Sequence, residues 1–248
     1  MIETATQTPA TSHPAATNGP ETAATYDTSR VVVLPQGNTL KSAMTVMRDL
    51  STECRQFTET VERVSDMLIS AAIDMIPTED IQVQTPTGAK FAGSKHTTPV
   101  CGISILRAGA SIENALRRVY QSVKPLGPLC FGKILIQRNE ETSLPHFLYS
   151  KFPSKIESAT VLILEPMLAT GGSAAMAIEK LKTLGGVPED KIIFVNILAS
   201  RYGVAKLMTK FPQLRIVTAA IDEELTVPSN HISPGLGDFG DRFYGTVG

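Results

Sequence analysis

The stretch from Val161 to Ser173, V-L-I-L-E-P-M-L-A-T-G-G-S, constrains the fold of this chain more than any other. Its first four residues, up to Leu164, are apolar and predict a short strand buried on both faces, as in a parallel sheet. Pro166 ends that strand, because proline has no N–H to give to the ladder. From Ala174 an apolar face at helical spacing indicates a helix. The stretch therefore predicts a strand, a small-residue loop and a helix in succession.

The loop of this stretch predicts an anion-binding site. Residues Ala169-Thr170-Gly171-Gly172-Ser173 leave several backbone N–H groups unpaired at a helix N-terminus, where the helix dipole favours negative charge. Glu165 stands just before the loop, where its carboxylate could accept sugar hydroxyl groups. No lysine follows the glycines, which excludes the P-loop of nucleotide triphosphatases. On the loop alone, an ordinary strand-to-helix turn with a serine cap remains an alternative.

Elsewhere the chain alternates apolar runs with helical patterns, which predicts an α/β fold. Two helices precede this alternation, the first from Thr39 and the second closed by Pro77, and they suggest a helical flank on the sheet. A hairpin or loop is expected over Ile81 to Thr98, and an extended arm or hairpin over Asn139 to Lys155. The further predicted strands are Val100 to Leu106, Ile134 to Gln137, Ile192 to Leu198 and Arg215 to Ile221. One further helix is predicted after a Ser111 cap, and another over about Tyr202 to Thr209.

Three charged residues stand at the carboxyl ends of predicted strands: Arg107, Arg138 and Glu165. Because parallel strands share that edge, the two cations and the carboxylate are expected to meet in the crevice where α/β proteins bind ligands. A substrate with a pyrophosphate, a polyhydroxylated ring and a separate phosphate would suit such a site. For each arginine taken alone, solvation or pairing with an acidic neighbour such as Asp222 remains open.

The composition argues against several classes of function. A formal charge of −1 gives no electrostatic case for binding nucleic acid or an anionic membrane. Cys54, Cys101 and Cys130 are odd in number and widely spaced, so neither a disulfide framework nor a zinc site is predicted, and a reducing, cytoplasmic location fits. No apolar run reaches the length of a membrane span. Residues 1–29 are rich in Thr, Ala and Pro and are predicted to form a disordered tail.

Four motifs give the chain a family resemblance. They are L-R-A-G at Leu106 to Gly109, I-L-I-Q-R at Ile134 to Arg138, E-P-M-L-A-T-G-G-S at Glu165 to Ser173, and P-G-L-G-D-F-G-D-R at Pro234 to Arg242. With these motifs in this order, residues 30–248 resemble the uracil phosphoribosyltransferases, and the last motif is particular to them. The resemblance implies the α/β fold of the type I phosphoribosyltransferases: a Rossmann-like open parallel sheet, an N-terminal helical flank and a C-terminal base-binding hood over about residues 222–248.

The resemblance also implies a reaction, the transfer of the phosphoribosyl group of phosphoribosyl pyrophosphate (PRPP) to uracil, which gives UMP and pyrophosphate in pyrimidine salvage. Arg107 and Arg138 match the family's pyrophosphate contacts, and Glu165 would accept the ribose hydroxyls. Together with Asp238 these three are the expected catalytic residues. Mg²⁺ is expected to be coordinated by the PRPP oxygens and by water, with no direct protein ligand. The expected PRPP contacts are Arg107, Arg138, Glu165, Pro166, Met167, Leu168, Ala169, Thr170, Gly171, Gly172, Ser173 and Asp238.

The C-terminal motif is expected to bind the base. In the family uracil is held largely by main-chain groups, and the matching positions here are Ile232, Gly237, Asp238 and Phe239. Fixed peptide groups complement the carbonyls and imide of uracil and disfavour cytosine, whose exchanged donor would leave groups unpaired. Without the resemblance, a cluster of Gly and Asp is more often a plain turn.

Three features depart from the family pattern. Glu165 stands where the family has Asp, and its extra methylene moves the carboxylate by about 1 Å, which can cost roughly a hundredfold in rate. His231 and Ser233 replace the Tyr and Val that usually flank the matched Ile232. The segment Ala199 to Gly203 differs from the family's Ala-Ala-Pro-like loop. Activity is expected, with a reduced rate as an open alternative.

The departures keep two further hypotheses open. Glu165 motivates a weakly active paralogue that binds PRPP or a nucleotide as a regulator. His231 and Ser233 motivate a phosphoribosyltransferase for another base. The resemblance further implies a homodimer or homotetramer, and GTP as an allosteric activator, as in some relatives.

Overall fold

The computed structural model describes residues 27–123, 127–138 and 145–246, with the backbone alone described at Arg138. The strands are β1 (Val31–Val33), β2 (Thr78–Gln84), β3 (Lys90–His96), β4 (Val100–Leu106), β5 (Cys130–Arg138), β6 (Pro145–Lys151), β7 (Thr160–Leu164), β8 (Met167–Leu168), β9 (Ile192–Ser200), β10 (Arg215–Asp222), β11 (Glu224–Leu225) and β12 (Ile232–Ser233). The helices are α1 (Asn38–Arg48), α2 (Cys54–Asp74), α3 (Glu113–Ser122), α4 (Gly172–Leu184), α5 (Arg201–Lys210) and α6 (Phe239–Tyr244).

The central sheet runs in the order β1-β10-β9-β7-β4-β5-β6, with β8 added beside β9. Within the described strands every pair in this sheet is parallel except β5 with β6. Strands β7 and β9 are fully buried, which explains why their sequences are apolar except at Thr160, Asn196 and Ser200. The predicted open parallel sheet is confirmed, and β4 has the bounds that the sequence predicted.

Helices cover both faces of the sheet. On one face α1, α2 and α3 pack into a core with the inner residues of β7, β9 and β10. Helix α2 turns the same side inward at Phe57, Val61, Val64 and Leu68, at the three- and four-residue spacing of a helix. On the other face α4 and α5 form a second core. The predicted N-terminal helical flank is therefore confirmed.

Two local predictions were wrong. Ser111 does not cap α3, because a 3-10 turn over Ala108–Ile112 comes first and the Ser111 hydroxyl donates to the Ala108 carbonyl oxygen at 2.7 Å. The stretch from Asp222 is rich in Gly, Pro and Asp, which predicts that it is too irregular for a helix, yet it contains α6. The Asp238 carboxylate starts this helix by accepting from the Asp241 N–H at 2.9 Å.

Some predicted segments lie partly outside the described residues. Of the expected tail, residues 1–26 fall outside, and the described chain begins at Asp27, ahead of a 3-10 turn over Thr28–Arg30. Of the expected arm, residues 139–144 fall outside, and the remainder contains β6, which lies antiparallel to β5. Of the hairpin or loop expected over Ile81 to Thr98, a hairpin forms as β2 and β3, and it begins earlier, at Thr78. In the described ranges no helix combines the length and apolarity that crossing a bilayer requires.

Candidate active site

Three neighbouring strand ends bring the predicted charged residues to one edge of the sheet. Strand β4 lies between β7 and β5 and is parallel to both. Arg107 follows β4, Glu165 follows β7, and Arg138 is the last residue of β5. From β4 the chain continues to β5 on one side and later to β7 on the other, so the strand order reverses between β4 and β7. Such a switch point is where α/β sheets bind ligands.

A cleft opens at this switch point and collects most of the predicted site. Side chains of Ile105 and Ile136 form part of its apolar wall. Pro166 is buried behind it, and its carbonyl oxygen accepts from the N–H groups of Ile197 and Leu198 at 2.9 and 3.0 Å. The predicted residues that line the cleft are Arg107, Glu165, Met167, Leu168, Ala169, Gly171, Gly172 and Ser173.

The phosphate loop, defined as residues 169–173, runs directly into α4. Gly171 is the residue before the helix and has φ +73°, a left-handed conformation that glycine adopts without a steric cost. The first intrahelical bond joins the Ala175 N–H to the Gly171 carbonyl at 2.9 Å, so the preceding N–H groups of the first turn have no partner within the helix. A glycine precedes α4 and Ser173 lies inside it, so the serine cap of the alternative interpretation does not form.

The backbone around the cleft is packed so closely that side chains would not fit. A Cβ atom added to Gly109, in the turn after Arg107, would lie 2.1 Å from the Leu164 carbonyl oxygen at the end of β7. Glycine at this position therefore lets the Arg107 turn and the Glu165 turn lie against each other. The L-R-A-G motif thus serves the geometry of the strand ends as well as the charge of the cleft.

Arg107 also contacts the hood, here residues 222–246, through groups that sequence reasoning missed. Its guanidinium lies 3.7 Å from the Asp241 carboxylate and 5.5 Å from the centre of the Tyr244 ring. The Tyr244 hydroxyl donates to the Arg107 carbonyl oxygen at 3.0 Å. Burial raises the pKa of Tyr244, which favours the protonated, donating phenol. The end of α6 therefore supports the turn that carries Arg107.

A half-buried ion pair attaches the start of the hood to α1. The Arg48 guanidinium donates to both oxygens of Asp222, at 2.7 and 2.8 Å, and to the Gly235 carbonyl oxygen at 2.8 Å. Asp222 in turn accepts from the Gly235 N–H at 2.9 Å. Gly235 has φ +64°, and a Cβ atom there would lie 2.0 Å from the Ile232 carbonyl oxygen. The network therefore fixes a turn that only glycine fits.

Arg242 makes a second attachment between the hood and the end of α1. It donates to the carbonyl oxygens of Met47 and Leu236, at 2.5 and 2.7 Å, and its guanidinium lies 4.4 Å from the centre of the Phe57 ring. Burial lowers the pKa of this guanidinium, which stays charged all the same. The Phe239 ring packs edge-on against Phe57. Two clusters of contacts thus hold the hood in place.

The residues predicted to bind the base all lie in the hood. Ile232 is paired with Leu225 in the β11–β12 ribbon. Gly237 has φ +80°, and Asp238 caps α6. Since the Phe239 ring is buried in the core, main-chain groups are what Phe239 can offer a ligand.

Arg138 is placed by its backbone. It pairs with Pro145 across β5 and β6. The Pro145 ring in turn lies 3.5 Å from the position that a Cβ atom on Gly172 would take. The backbone of Arg138 therefore lies near the start of α4, while its side chain falls outside the described structure.

Comparison with known proteins matches most of the chain to one family. A family model described as uracil phosphoribosyltransferase matches residues 33–246. The uracil phosphoribosyltransferase of Dictyostelium discoideum is 41% identical over 216 residues, which cover 87% of this chain and 96% of that protein. The uracil phosphoribosyltransferase of Saccharomyces cerevisiae is 42% identical over 214 residues, which cover 86% and 95%. Among solved structures, the AQ2163 protein from Aquifex aeolicus superposes with a TM-score of 0.74 at 29% identity, covering 86% of this chain and 97% of that one.

Proposed function

This chain belongs to the uracil phosphoribosyltransferase family, and we propose that it transfers the phosphoribosyl group of PRPP to uracil in the cleft between β4 and β7. The observation that supports this site is the meeting of Arg107, Glu165 and the phosphate loop around one cleft. The family match favours the enzyme over the regulatory paralogue that Glu165 had motivated. It also favours uracil over another base, despite His231 and Ser233.

The predicted charged residues and the N–H groups of the phosphate loop each have a proposed role in this reaction. The free N–H groups at the start of α4 would bind the 5′-phosphate, since backbone donors and the helix dipole act together there. Glu165 would accept the 2′- and 3′-hydroxyls of the ribose. Arg107 and Arg138 would neutralise the pyrophosphate as the bond to C1′ lengthens. Electrostatic stabilisation of the leaving group and of the cationic ribose is the main catalytic contribution that we propose.

The hood would bind uracil through main-chain groups of Ile232, Gly237, Asp238 and Phe239. The anchored turn at Gly235 and the capped start of α6 hold these peptides in fixed directions. Fixed donors and acceptors discriminate well, because a base with the wrong pattern leaves some of them unpaired. Asp238 would also face PRPP, which places base and sugar on either side of one residue.

Mg²⁺ fits this cleft as a companion of PRPP. No group of three or more His, Cys, Asp or Glu able to cage a metal occurs among the described side chains. Mg²⁺ keeps several of its waters and binds substrate phosphates, so PRPP oxygens and water can supply its ligands without a direct protein ligand. When bound, the ion would add positive charge at the pyrophosphate.

Location, assembly and regulation stay predictions. A cytoplasmic location agrees with the three cysteines, which are all free thiols. A homodimer or homotetramer and activation by GTP follow from the family resemblance. Sedimentation of the purified chain, with and without GTP, would measure its oligomeric state. Turnover with added GTP would measure activation.

Purified protein incubated with uracil, PRPP and Mg²⁺ is expected to form UMP and pyrophosphate in equal amounts. The measurement is chromatography of the nucleotide product together with a pyrophosphate assay. Hypoxanthine, orotate and cytosine serve as competing bases, and each is expected to give less product than uracil because the hood's peptide groups would be mispaired. Absence of UMP, or a preference for another base, would contradict the proposal.

Replacing Tyr244 by phenylalanine is expected to lower kcat/KM for UMP formation by about three- to tenfold, the size expected when one hydrogen bond to the Arg107 turn is lost. Tyr120→Phe is the matched control, because it removes a hydroxyl that donates to another carbonyl oxygen, that of Gly127, at 3.1 Å. Steady-state kinetics of both variants measure kcat/KM for UMP formation, which should fall in Tyr244→Phe and stay unchanged in Tyr120→Phe. Equal losses in the two variants would show that the hydroxyl of Tyr244 has no particular role at the site.

A further inference from the structure

We propose that Ser200 is a positioning residue that fixes the direction of one N–H group in the phosphate loop. The inference rests on the proposed role of that loop in binding the 5′-phosphate of PRPP. Ser200 is the last residue of β9 and is fully buried, one strand away from the strand that leads into the loop. Ser200 lies in the segment Ala199 to Gly203, which departs from the family's Ala-Ala-Pro-like loop.

The hydroxyl of Ser200 makes two hydrogen bonds that join α5 to the phosphate loop. It donates to the Ala169 carbonyl oxygen at 2.6 Å. It also accepts from the Gly203 N–H at 2.8 Å, which makes Ser200 the N-cap of α5. A hydroxyl has one proton and two lone pairs, so both roles can be filled at once. One side chain therefore starts a helix and holds a loop carbonyl.

Holding the Ala169 carbonyl oxygen also sets the direction of the next N–H. The peptide unit that links Ala169 and Thr170 is planar, and in its trans form the C=O and the N–H point in opposite directions. The oxygen points at Ser200, into the protein beneath the loop. The Thr170 N–H therefore points away from α5. Because Ala169 and Gly171 line the cleft, the geometry directs this donor to the proposed phosphate site.

Gly203 lies close to the same carbonyl. A Cβ atom on Gly203 would lie 2.4 Å from the Ala169 oxygen and 3.0 Å from the Leu168 oxygen. The first turn of α5 therefore lies directly against the backbone of the loop. Gly171 lies on this turn as well, since a Cβ atom there would be 3.4 Å from the Gly203 oxygen. The phosphate loop therefore packs against the first turn of α5 at a distance that only glycine at position 203 permits.

Loss of the Ser200 hydroxyl would release this peptide to rotate. A rotated peptide would turn the Ala169 oxygen towards the phosphate in place of the Thr170 N–H, so an attraction would become a repulsion. The predicted defect is confined to ligands that carry the 5′-phosphate. Ligands that occupy the pyrophosphate side alone, next to Arg107, would bind as before.

The test compares Ser200→Ala with the unaltered chain by calorimetric titration with ribose 5-phosphate and, separately, with pyrophosphate. Affinity for ribose 5-phosphate is expected to fall by about three- to tenfold, in line with the loss of one hydrogen bond. Affinity for pyrophosphate is expected to stay the same. In steady-state assays the KM for PRPP should rise by the same factor, with the KM for uracil unchanged.

Two further variants separate positioning from simple stability. Thr160→Val removes another side-chain hydrogen bond of the sheet, to Thr98 at 3.0 Å, at the opposite end of β7, and it should leave both affinities unchanged. Ser200→Cys keeps a similar shape with a weaker donor, so its affinity for ribose 5-phosphate should lie between those of the unaltered chain and Ser200→Ala. This variant also provides the test if Ser200→Ala does not fold. Thermal melting of every variant records the contribution of the α5 cap.

The outcomes are distinct. If Ser200→Ala and Ser200→Cys melt earlier but bind ribose 5-phosphate as the unaltered chain does, Ser200 is a helix cap alone and the inference is overturned. Equal weakening of ribose 5-phosphate and pyrophosphate would overturn it as well, because the defect would then be general. If the unaltered chain binds neither ligand and forms no UMP, the proposed function itself fails, and the inference fails with it.

Discussion

Replacing Arg107 by alanine is expected to lower kcat/KM for UMP formation by about a hundred- to a thousandfold, as when one preorganised group facing a developing charge is removed. Arg107 follows β4 at the switch point, lines the cleft and is expected to neutralise the departing pyrophosphate. Its side chain is 62% exposed, so the fold depends little on it. The loss should therefore appear in kinetics, with a melting temperature close to that of the unaltered chain.

Two variants make this result specific. Arg55→Ala removes an arginine that is 90% exposed and pairs with Glu59 on α2, and it should leave kcat/KM unchanged. Arg107→Lys keeps the charge but loses the planar fork that matches phosphate oxygens, so its activity should lie between those of arginine and alanine. If Arg107→Ala retained more than about a tenth of the activity, the leaving-group role that rests on this electrostatic argument would be wrong.

The sequence could place Arg107, Arg138 and Glu165 together because each follows or ends a strand with a recognisable apolar run. Buried parallel strands tolerate few polar residues, so their ends are visible in the sequence, and parallel strands share an edge. The relation between β4, β5 and β7 as direct neighbours came from the structure and the family resemblance. Local periodicity carries no information on which strands lie side by side.

The contacts that hold the site could not be predicted from the sequence. Arg48 and Asp222 are 174 positions apart, and Ser200 and Ala169 are 31 apart. Each pair is brought together by the sheet order, and none belongs to a motif with a fixed spacing. The helix α6 was missed for a different reason. It has six residues, too few for an apolar period, and Asp238 starts it within a stretch whose glycines indicate turns.

Replacing Asp222 by asparagine is expected to lower the free energy of unfolding by about 3 kcal/mol, because it leaves the charge of Arg48 without its partner in a poorly hydrated site. The Asp222 side chain is 8% exposed and that of Arg48 is 25% exposed. For a domain of this size the melting temperature should fall by about 6–12 °C. The KM for uracil should also rise, because Asp222 and Arg48 hold the Gly235 turn that precedes Gly237 and Asp238.

Glu223→Gln is the control, because it makes the same change of carboxylate to amide at the next residue. Glu223 pairs with Arg201, and both side chains are more than half exposed, at 65% and 60%. Exposed ion pairs contribute little, so the melting temperature and the KM for uracil should stay nearly unchanged. Differential scanning calorimetry and uracil kinetics on both variants test the comparison. If Asp222→Asn melts earlier while the KM for uracil stays constant, the Arg48–Asp222 pair stabilises the fold without positioning the hood, and base binding depends on the Arg242 attachment instead.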